Sequence, residues 1–312
     1  MSGATLAAPV ASRLRPGGSF ALQQRRFFWM LLGPVLAVLA VITLLPTVYL
    51  FVISLTPLNL TKPGTAGDFS HIWQNYRYML ADMRLRDSLW TQVKLSASTV
   101  AFQVVLGFLA ALLLNHSARV GRIVRTSLLI PMVLPPIVVA IIWKMVFSPD
   151  ISPLWWLFNW LGWNVPVPIT DARFALGSIV LADTWEWFPF TMMIILAALS
   201  MMPEELVEAA RLDGATPVQL TWYITLPYLR GALLVAGLFR LIDSIKAFPL
   251  IYLLTSGGPG TVTEVPNYYI FVQSFNFSYV GYSSAITVVL VAMVCVLSWF
   301  IVRVVSGGDR AE

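Results

Sequence analysis

The chain has 312 residues, of which 58% are hydrophobic and 11% are charged, so its composition excludes a water-soluble globule of this size. The basic residues behind the net charge of +5 are scattered between apolar segments. They form no continuous stripe of the kind that binds nucleic acid. The single cysteine, Cys295, excludes an internal disulfide and a cysteine-based metal site. The composition therefore predicts an all-α, polytopic membrane protein.

Six segments approach or exceed the ~20 apolar residues that a helix needs to cross a bilayer. They are residues 28–53, 95–114, 127–147, 176–201, 231–254 and 284–305. The first is too long for a signal-peptide core and has no small-residue cleavage site after it, so we interpret it as a membrane span and predict no cleaved signal. Pro135 and Pro136 interrupt the third, which membrane helices tolerate when their surroundings satisfy the freed carbonyls.

The arginines and lysines predict the orientation of the chain. If the N-terminus is cytoplasmic, eleven basic residues, among them Arg13, Arg119 and Arg310, lie on the cytoplasmic side and six lie on the other. We therefore expect a cytoplasmic tail at 1–26, a transmembrane domain at 27–306 and a cytoplasmic tail at 307–312. The loop at 203–229 then faces the cytoplasm.

This loop carries the ordered polar stretch PEELVEAARLDGATPVQLTWYITLP, which starts at Pro203. Proline suits a first helical position, and Glu204 and Glu205 follow where the helix dipole favours negative charge. Asp213-Gly214 predicts a turn with a positive φ, and Thr216-Pro217 predicts a second helix start. The stretch predicts a helical elbow, for which an interfacial amphipathic connector is the alternative interpretation.

Residues of the elbow match a known pattern position by position: EAA, three residues, G, nine residues, I-x-LP. The matching residues are Glu208, Ala209, Ala210, Gly214, Ile224, Leu226 and Pro227. The chain thus resembles the permease subunits of binding-protein-dependent ABC importers. DTWEWFPF (183–190), LTSGGPGTVTE (254–264) and GYSSA (281–285) extend the resemblance over about residues 90–305, and it is nearest to the carbohydrate-type, MalF-like or UgpA-like subunits. One departure is Pro249 in KAFPLIY, where these permeases often carry an acidic residue.

The resemblance implies a type I ABC importer permease fold of six transmembrane helices in a bacterial inner membrane. It also implies an extracytoplasmic solute-binding protein and two copies of a cytoplasmic ATPase. Because one chain offers one elbow, a second homologous permease is expected, in a heterodimer. Within the elbow, Glu208 is expected to make the ionic contact with the ATPase, Ala209 and Ala210 to form the close-packing face, and Asp213-Gly214 to set the turn.

The lysines exclude a Walker A loop in this chain. Lys62, Lys94, Lys144 and Lys246 follow Thr, Val, Trp and Ile, whereas the motif requires glycine before its lysine. We expect the chain to bind no cofactor and no metal and to be a transport subunit, not an enzyme. ATP and Mg²⁺ would be bound by the partner ATPase.

Charged residues within the predicted spans form a second candidate site. They are Asp183 and Glu186 in the fourth span, Arg240, Asp243 and Lys246 in the fifth, and Lys144 near the end of the third. Each costs at least ~2.5 kcal/mol on insertion scales, so three positive and three negative charges should face one another or a water-filled cavity. They are either ion pairs that fix helix packing or part of a translocation path, in which Trp185 and Trp187 would stack on sugar rings.

These charges sum to zero, which favours a neutral polyhydroxy solute over an anion. A glycerol-phosphate-type permease is the alternative within the family. From other classes, a self-powered secondary transporter would have no use for the elbow. A membrane enzyme would need a catalytic constellation, but His71 and His116 are isolated and neither HExxH nor GxSxG occurs.

Overall fold

The computed structural model of the chain describes residues 18–115 and 120–308, which form helices joined by turns. Within these ranges no β-strand occurs, and the predicted all-α class is confirmed. In the described part of the chain, five helices are long and apolar enough to cross a membrane: Arg26–Ser54, Met83–Asn115, Ala175–Ser200, Pro217–Ser244 and Val280–Phe300. A bent pair, Ile123–Val133 and Pro136–Val146, makes a sixth if it counts as one span. Most of the expected N-terminal tail, the C-terminal residues 309–312, His116 and Arg119 lie outside the described residues.

The first helix, α1 (Gly18–Ser54), belongs as far as Val52 to a compact unit of its own. It begins ten residues before the predicted first span, 28–53. Pro34 and Pro46 lie inside it, as membrane helices allow.

The second unit is built on α3 (Met83–Asn115), α7 (Ala175–Ser200) and α10 (Leu226–Ser244), which pack on one another. The backbones of α3 and α7 approach closely at Gly107, where an added Cβ would lie 2.2 Å from Thr191 Oγ1 and 2.8 Å from Met192 N. Thr191 also donates a 2.7 Å hydrogen bond to the carbonyl of Gln103 on α3. This small-residue contact and its hydrogen bond hold the two spans together where lipid offers no hydrophobic driving force.

The predicted third span, 127–147, is not one helix. It consists of α4 (Val120–Val133) and α5 (Pro136–Val146), which meet at a bend of 99°. Pro136 pushes the preceding residue out of helical conformation, and Pro135 has an extended ψ of 138°. Tandem prolines thus end one helix and start the next, and α5 packs on α11 (Pro249–Leu254).

The predicted fifth span, 231–254, also differs from the structure at its outer end. The helix stops at Ser244, and Pro249 then occupies the first position of α11. Proline cannot donate the backbone hydrogen bond that a continuous helix needs here. The break lies at Pro249, the position where the sequence carries proline in place of the acidic residue of the resembling permeases.

The remaining helices connect and flank these spans. They are α2 (Gln74–Ala81), α6 (Pro153–Trp160), α8 (Glu204–Leu212), α9 (Pro217–Leu220), α12 (Pro266–Phe271) and α13 (Val280–Gly308). Helix α3 starts twelve residues before the predicted second span, and α13 starts four residues before the predicted sixth.

Candidate functional site

A buried arginine joins α3, α7 and α10. Arg240 is 2% exposed, and its guanidinium donates to Asp243 Oδ2 at 2.6 Å, to Asp183 Oδ2 at 3.5 Å and to Gln103 Oε1 at 2.8 Å. It also lies over the ring of Trp187, 4.5 Å from the centroid. We call Gln103, Asp183, Arg240 and Asp243 the Arg240 cluster.

Gln103 connects the members of this cluster, and its part in the site was not predicted from the sequence. Its side chain is fully buried, and its amide donates to Asp183 Oδ2 at 2.7 Å while its oxygen accepts from Arg240. A signal was present: the buried polar residues Gln92, Ser96, Thr99 and Gln103 follow one another by three or four positions along α3. That spacing places them on one helix face.

Glu186 lies one turn from Asp183 but is not part of the ion pairs. It is 1% exposed, and within the described part of the chain neither of its carboxylate oxygens has a hydrogen-bond partner. Lys144 and Lys246 are exposed and form no ion pair with any described residue. Of the two interpretations left open by the sequence, ion pairing therefore applies to Arg240, Asp183 and Asp243 and not to the other three charges. Arg240 alone binds two acids, and Glu186 is left unpaired.

Aromatic side chains surround these residues. Trp185 packs edge-on against Trp143 of α5, with ring centroids 5.9 Å apart. The indole Nε1 of Trp143 and the hydroxyl of Thr184 are buried and have no hydrogen-bond partner among the described residues. Buried polar atoms normally find partners, so unsatisfied ones beside aromatic rings indicate groups that a further molecule can satisfy.

The predicted elbow exists as helix, turn and helix. Helix α8 begins at Glu204, directly after Pro203, and ends in a Schellman motif in which Gly214 N donates to Arg211 O at 3.1 Å and Ala215 N to Ala210 O at 2.9 Å. Gly214 has a φ of 79°, as predicted. Helix α9 then begins with a capping box formed by Thr216 and Gln219.

The elbow presents part of its predicted contact surface outward. Glu208, Ala209, Asp213, Gly214 and Pro227 are exposed, whereas Ala210 is buried within the chain, and Ile224 and Leu226 are half-buried. Large apolar side chains are exposed here as well, among them Leu212, Val218, Trp222 and Tyr223. An exposed patch of this kind on a connecting loop is typical of a protein–protein contact.

The elbow is joined to a span without a break. A π-helical turn, Thr221–Thr225, connects α9 to α10, so Pro217–Ser244 forms a single run of 28 residues. Tyr228 near its start donates a 3.0 Å hydrogen bond to the carbonyl of Met201, at the end of α7. Both sides of the elbow are thus tied to the helices that carry the Arg240 cluster.

A second polar cluster lies at the N-terminal end of α3. Arg84 donates to both carboxylate oxygens of Glu264, at 2.8 and 2.7 Å, and Glu264 is 2% exposed. Asp82 accepts hydrogen bonds from the hydroxyls of Tyr269 and Tyr282. Burial opposes the ionisation of Asp82, but these bonds and two from the backbone outweigh it and lower its pKa. We call these five residues the Arg84 cluster.

A bundle of apolar helices with one broken span, buried charges and an exposed elbow defines a polytopic membrane transport subunit. Residues 103–307 match the family described as binding-protein-dependent transport system inner membrane component, and the chain belongs to this family. It is a permease subunit of the ABC importer type.

Individual relatives cover nearly the whole chain. A probable ABC transporter permease protein, y4oQ of Sinorhizobium fredii, is 33% identical over 92% of this chain and 94% of its own length. The trehalose/maltose transport system permease protein MalF of Thermococcus litoralis is 31% identical over 93% of this chain and 96% of its own. The fold is similar to a chain of a bacterial alginate ABC transporter solved with its periplasmic protein, with a TM-score of 0.77, 19% identity and coverage of 90% and 94%.

Proposed function

We propose that this chain is one of two permease subunits of an importer that carries a sugar or related polyhydroxy solute, delivered by an extracytoplasmic binding protein. A separate ATPase binds ATP and Mg²⁺ and drives the cycle, and this chain holds no cofactor. Its elbow contacts the ATPase. The N- and C-termini face the cytoplasm, as the arginine distribution favours.

The observation that carries the proposal is the continuity of the elbow with a span. A displacement of α9 is transmitted to Arg240 through a single run of helix, because no loop interrupts the chain between Pro217 and Ser244. Such a rigid lever converts closure of an ATPase into movement of the spans, which is the requirement of alternating access. The exposed Glu208 and the apolar side chains around it supply the surface that an ATPase groove would hold.

The solute class follows from the unpaired groups beside the Arg240 cluster. Glu186, Thr184 and the Trp143 indole supply hydrogen-bonding atoms without partners in the described structure, and the Trp143 ring packs against that of Trp185. Aromatic faces with convergent polar groups suit a hydroxyl-rich solute. The trehalose/maltose permease among the relatives supports the same class.

The test of the elbow is Gly214→Val. A Cβ at this position meets no atom within 4 Å, so the variant introduces backbone strain at φ 79° and no clash. The strain of roughly 1–2 kcal/mol distorts the turn, and we expect ATP-dependent uptake to fall while membrane insertion is kept. Uptake of labelled maltose and trehalose is measured in vesicles that contain both permeases, the ATPase and the binding protein, together with co-purification of the ATPase.

The matched control is Gly231→Val on α10, which also meets nothing within 4 Å but has no positive φ. It should import normally. Glu208→Ala should weaken ATPase association without changing folding. If Gly214→Val retains both uptake and ATPase binding, the elbow is not the coupling element. The unaltered complex is also tested with a panel of labelled mono- and disaccharides and polyols, and if it imports none of them, the solute class is wrong.

A further inference from the structure

A cavity of about 410 Å³ lies outside the Arg240 cluster. Its walls come from the turn segment at 57–65, from α2 and from residues 273–282. In the proposed topology these segments face the outside of the cell. The volume is in the range of ~300–1,000 Å³ that holds small molecules.

The side chains that line the cavity suit a neutral, hydroxyl-rich ligand. Four carboxamides line it: Asn59, Gln74, Asn75 and Gln273. The two glutamines offer both donors and acceptors, because Asn59 Oδ1 and the Asn75 amide are already hydrogen-bonded within the chain. Three aromatic rings accompany them, those of Tyr78, Tyr279 and Tyr282. No carboxylate lines the cavity within the described chain, which disfavours a cation, and Lys62 alone would have to balance an anion.

Hydrogen bonds within the protein hold the walls of the cavity in place before any ligand binds. The Asn75 amide donates to the carbonyls of Ser54 and Thr56 at 2.9 and 2.8 Å, which fixes α2. Gly281 N donates to Leu58 O at 2.9 Å, and a Cβ on Gly281 would lie 2.1 Å from Thr56 O. Only glycine permits this approach, so α13 and the turn segment form one preorganised wall.

Two of the carboxamides are left without partners. Gln273 is 9% exposed, and neither its side chain nor that of Gln74 forms a hydrogen bond to any described residue. The donors and acceptors of both side chains are therefore free to bind a ligand that enters the cavity. Gln273 and Gln74 suit an occupant that presents hydroxyl groups.

We propose that this cavity binds one sugar unit of the incoming solute at the outer mouth of the permease, before the solute reaches Glu186. The identity of the ligand as solute rests on the proposed function. Gln74 and Gln273 bind hydroxyls, and the tyrosine rings pack against the apolar face of the sugar ring. Because Tyr282 also donates to Asp82, the occupied cavity is adjacent to the Arg84 cluster.

The test uses the complex of both permeases and the ATPase in nanodiscs without the binding protein. Lys62→Cys, in a Cys295→Ser background, places an exposed thiol at the cavity and keeps both glutamines, and its alkylation by a maleimide is timed with and without maltose or trehalose. We expect alkylation to slow by about tenfold when the sugar is present at about ten times its Kd, since protection scales as 1 + [L]/Kd. Adding Gln273→Leu should abolish the protection.

Arg77→Cys is the matched control, because Arg77 is an exposed basic residue like Lys62 but does not line this cavity. Its alkylation should not change. Equal slowing at both positions would indicate a general closure and overturn the proposal. Absence of protection in a complex that imports sugar with its binding protein overturns the cavity site and leaves the proposed function intact.

Protection without sugar import by the complete system has the opposite meaning, since it supports the site and overturns the function. A membrane glycolipid has the same chemistry as a soluble sugar, so a second set of nanodiscs contains a glucosyl diacylglycerol. Protection that appears only in those discs would assign the cavity to a lipid headgroup and overturn the solute proposal.

Discussion

The Arg84 cluster and the Arg240 cluster differ in how completely their acids are paired. In the Arg84 cluster Glu264 has both oxygens bound by one arginine, and Asp82 accepts bonds from two tyrosines. Beside the Arg240 cluster, Glu186 is more deeply buried than Asp82 and has no partner among the described residues. Full pairing indicates a structural role, whereas an unpaired buried acid indicates a group that binds something else.

The largest expected effect follows from removing the arginine at the centre. Arg240→Met leaves Asp183 buried without its cation, and we expect a loss of about 3–5 kcal/mol of stability, measured by unfolding of the purified complex. The two acids should differ in rescue, because the side chain of Asp183 is 11% exposed and that of Asp243 is 45% exposed.

Adding Asp183→Asn to Arg240→Met should therefore restore more stability than adding Asp243→Asn, although the Asp243 contact is the shorter one at 2.6 Å against 3.5 Å. Water can solvate Asp243 but not Asp183. If both substitutions restored the same stability, the burial of the acid would not determine how much each ion pair contributes.

The corresponding change in the Arg84 cluster is Arg84→Met, which strands Glu264. The side chain of Arg84 is 41% exposed and that of Glu264 is 3% exposed, so we expect a loss of about 2–3 kcal/mol, below the range for a fully buried pair. Glu264→Gln in addition should recover part of it. The control is Arg86→Met, because Arg86 is an exposed arginine two positions further along the same helix. A loss as small as in the control would mean that the pair does not stabilise the fold.

A pH titration isolates Asp82. Its lowered pKa means that its hydrogen bonds stabilise the fold above the ordinary aspartate pKa of ~4 and that this stabilisation disappears as the pH falls through the lowered value. Asp82→Asn should cost about 1–2 kcal/mol near neutral pH. The difference in thermal stability from the unaltered chain should shrink below pH ~4. A difference that is constant down to strongly acid pH would contradict the assignment.

Glu186→Gln should have the smallest effect on stability. It therefore gives the largest contrast with the substitutions in the Arg84 cluster. With no partner to lose, the fold should change by less than about 0.5 kcal/mol. Uptake should fall about tenfold, the equivalent of one hydrogen bond between this carboxyl group and the solute. Asp87→Asn, at an exposed acid, is the control. Normal uptake in both Glu186→Gln and Trp185→Ala would remove α7 from the translocation path.

The elbow and the helices with their buried charges follow from the sequence because their causes are local. A proline before Glu204, a glycine at Gly214 and a threonine three residues before Gln219 specify caps through atoms a few residues apart. Apolar length likewise indicates the spans. The two proline breaks, at Pro135-Pro136 and at Pro249, have equally local causes, but hydropathy averages over them and extends each span across its break.

The pairing of Arg240 with Asp243, three positions apart on one helix, follows a local spacing rule, but the distant partners of the buried charges were decided by tertiary structure. Arg84 and Glu264 lie 180 positions apart, and Arg240 and Gln103 lie 137 apart. No spacing rule relates them, because the packing of α3 against α7 and α10 determines which polar atoms meet. From the sequence, Lys144, Lys246 and Glu186 belong to one group of charged residues within the predicted spans. Only the arrangement of the helices shows that the lysines are exposed while Glu186 is buried with no partner among the described residues.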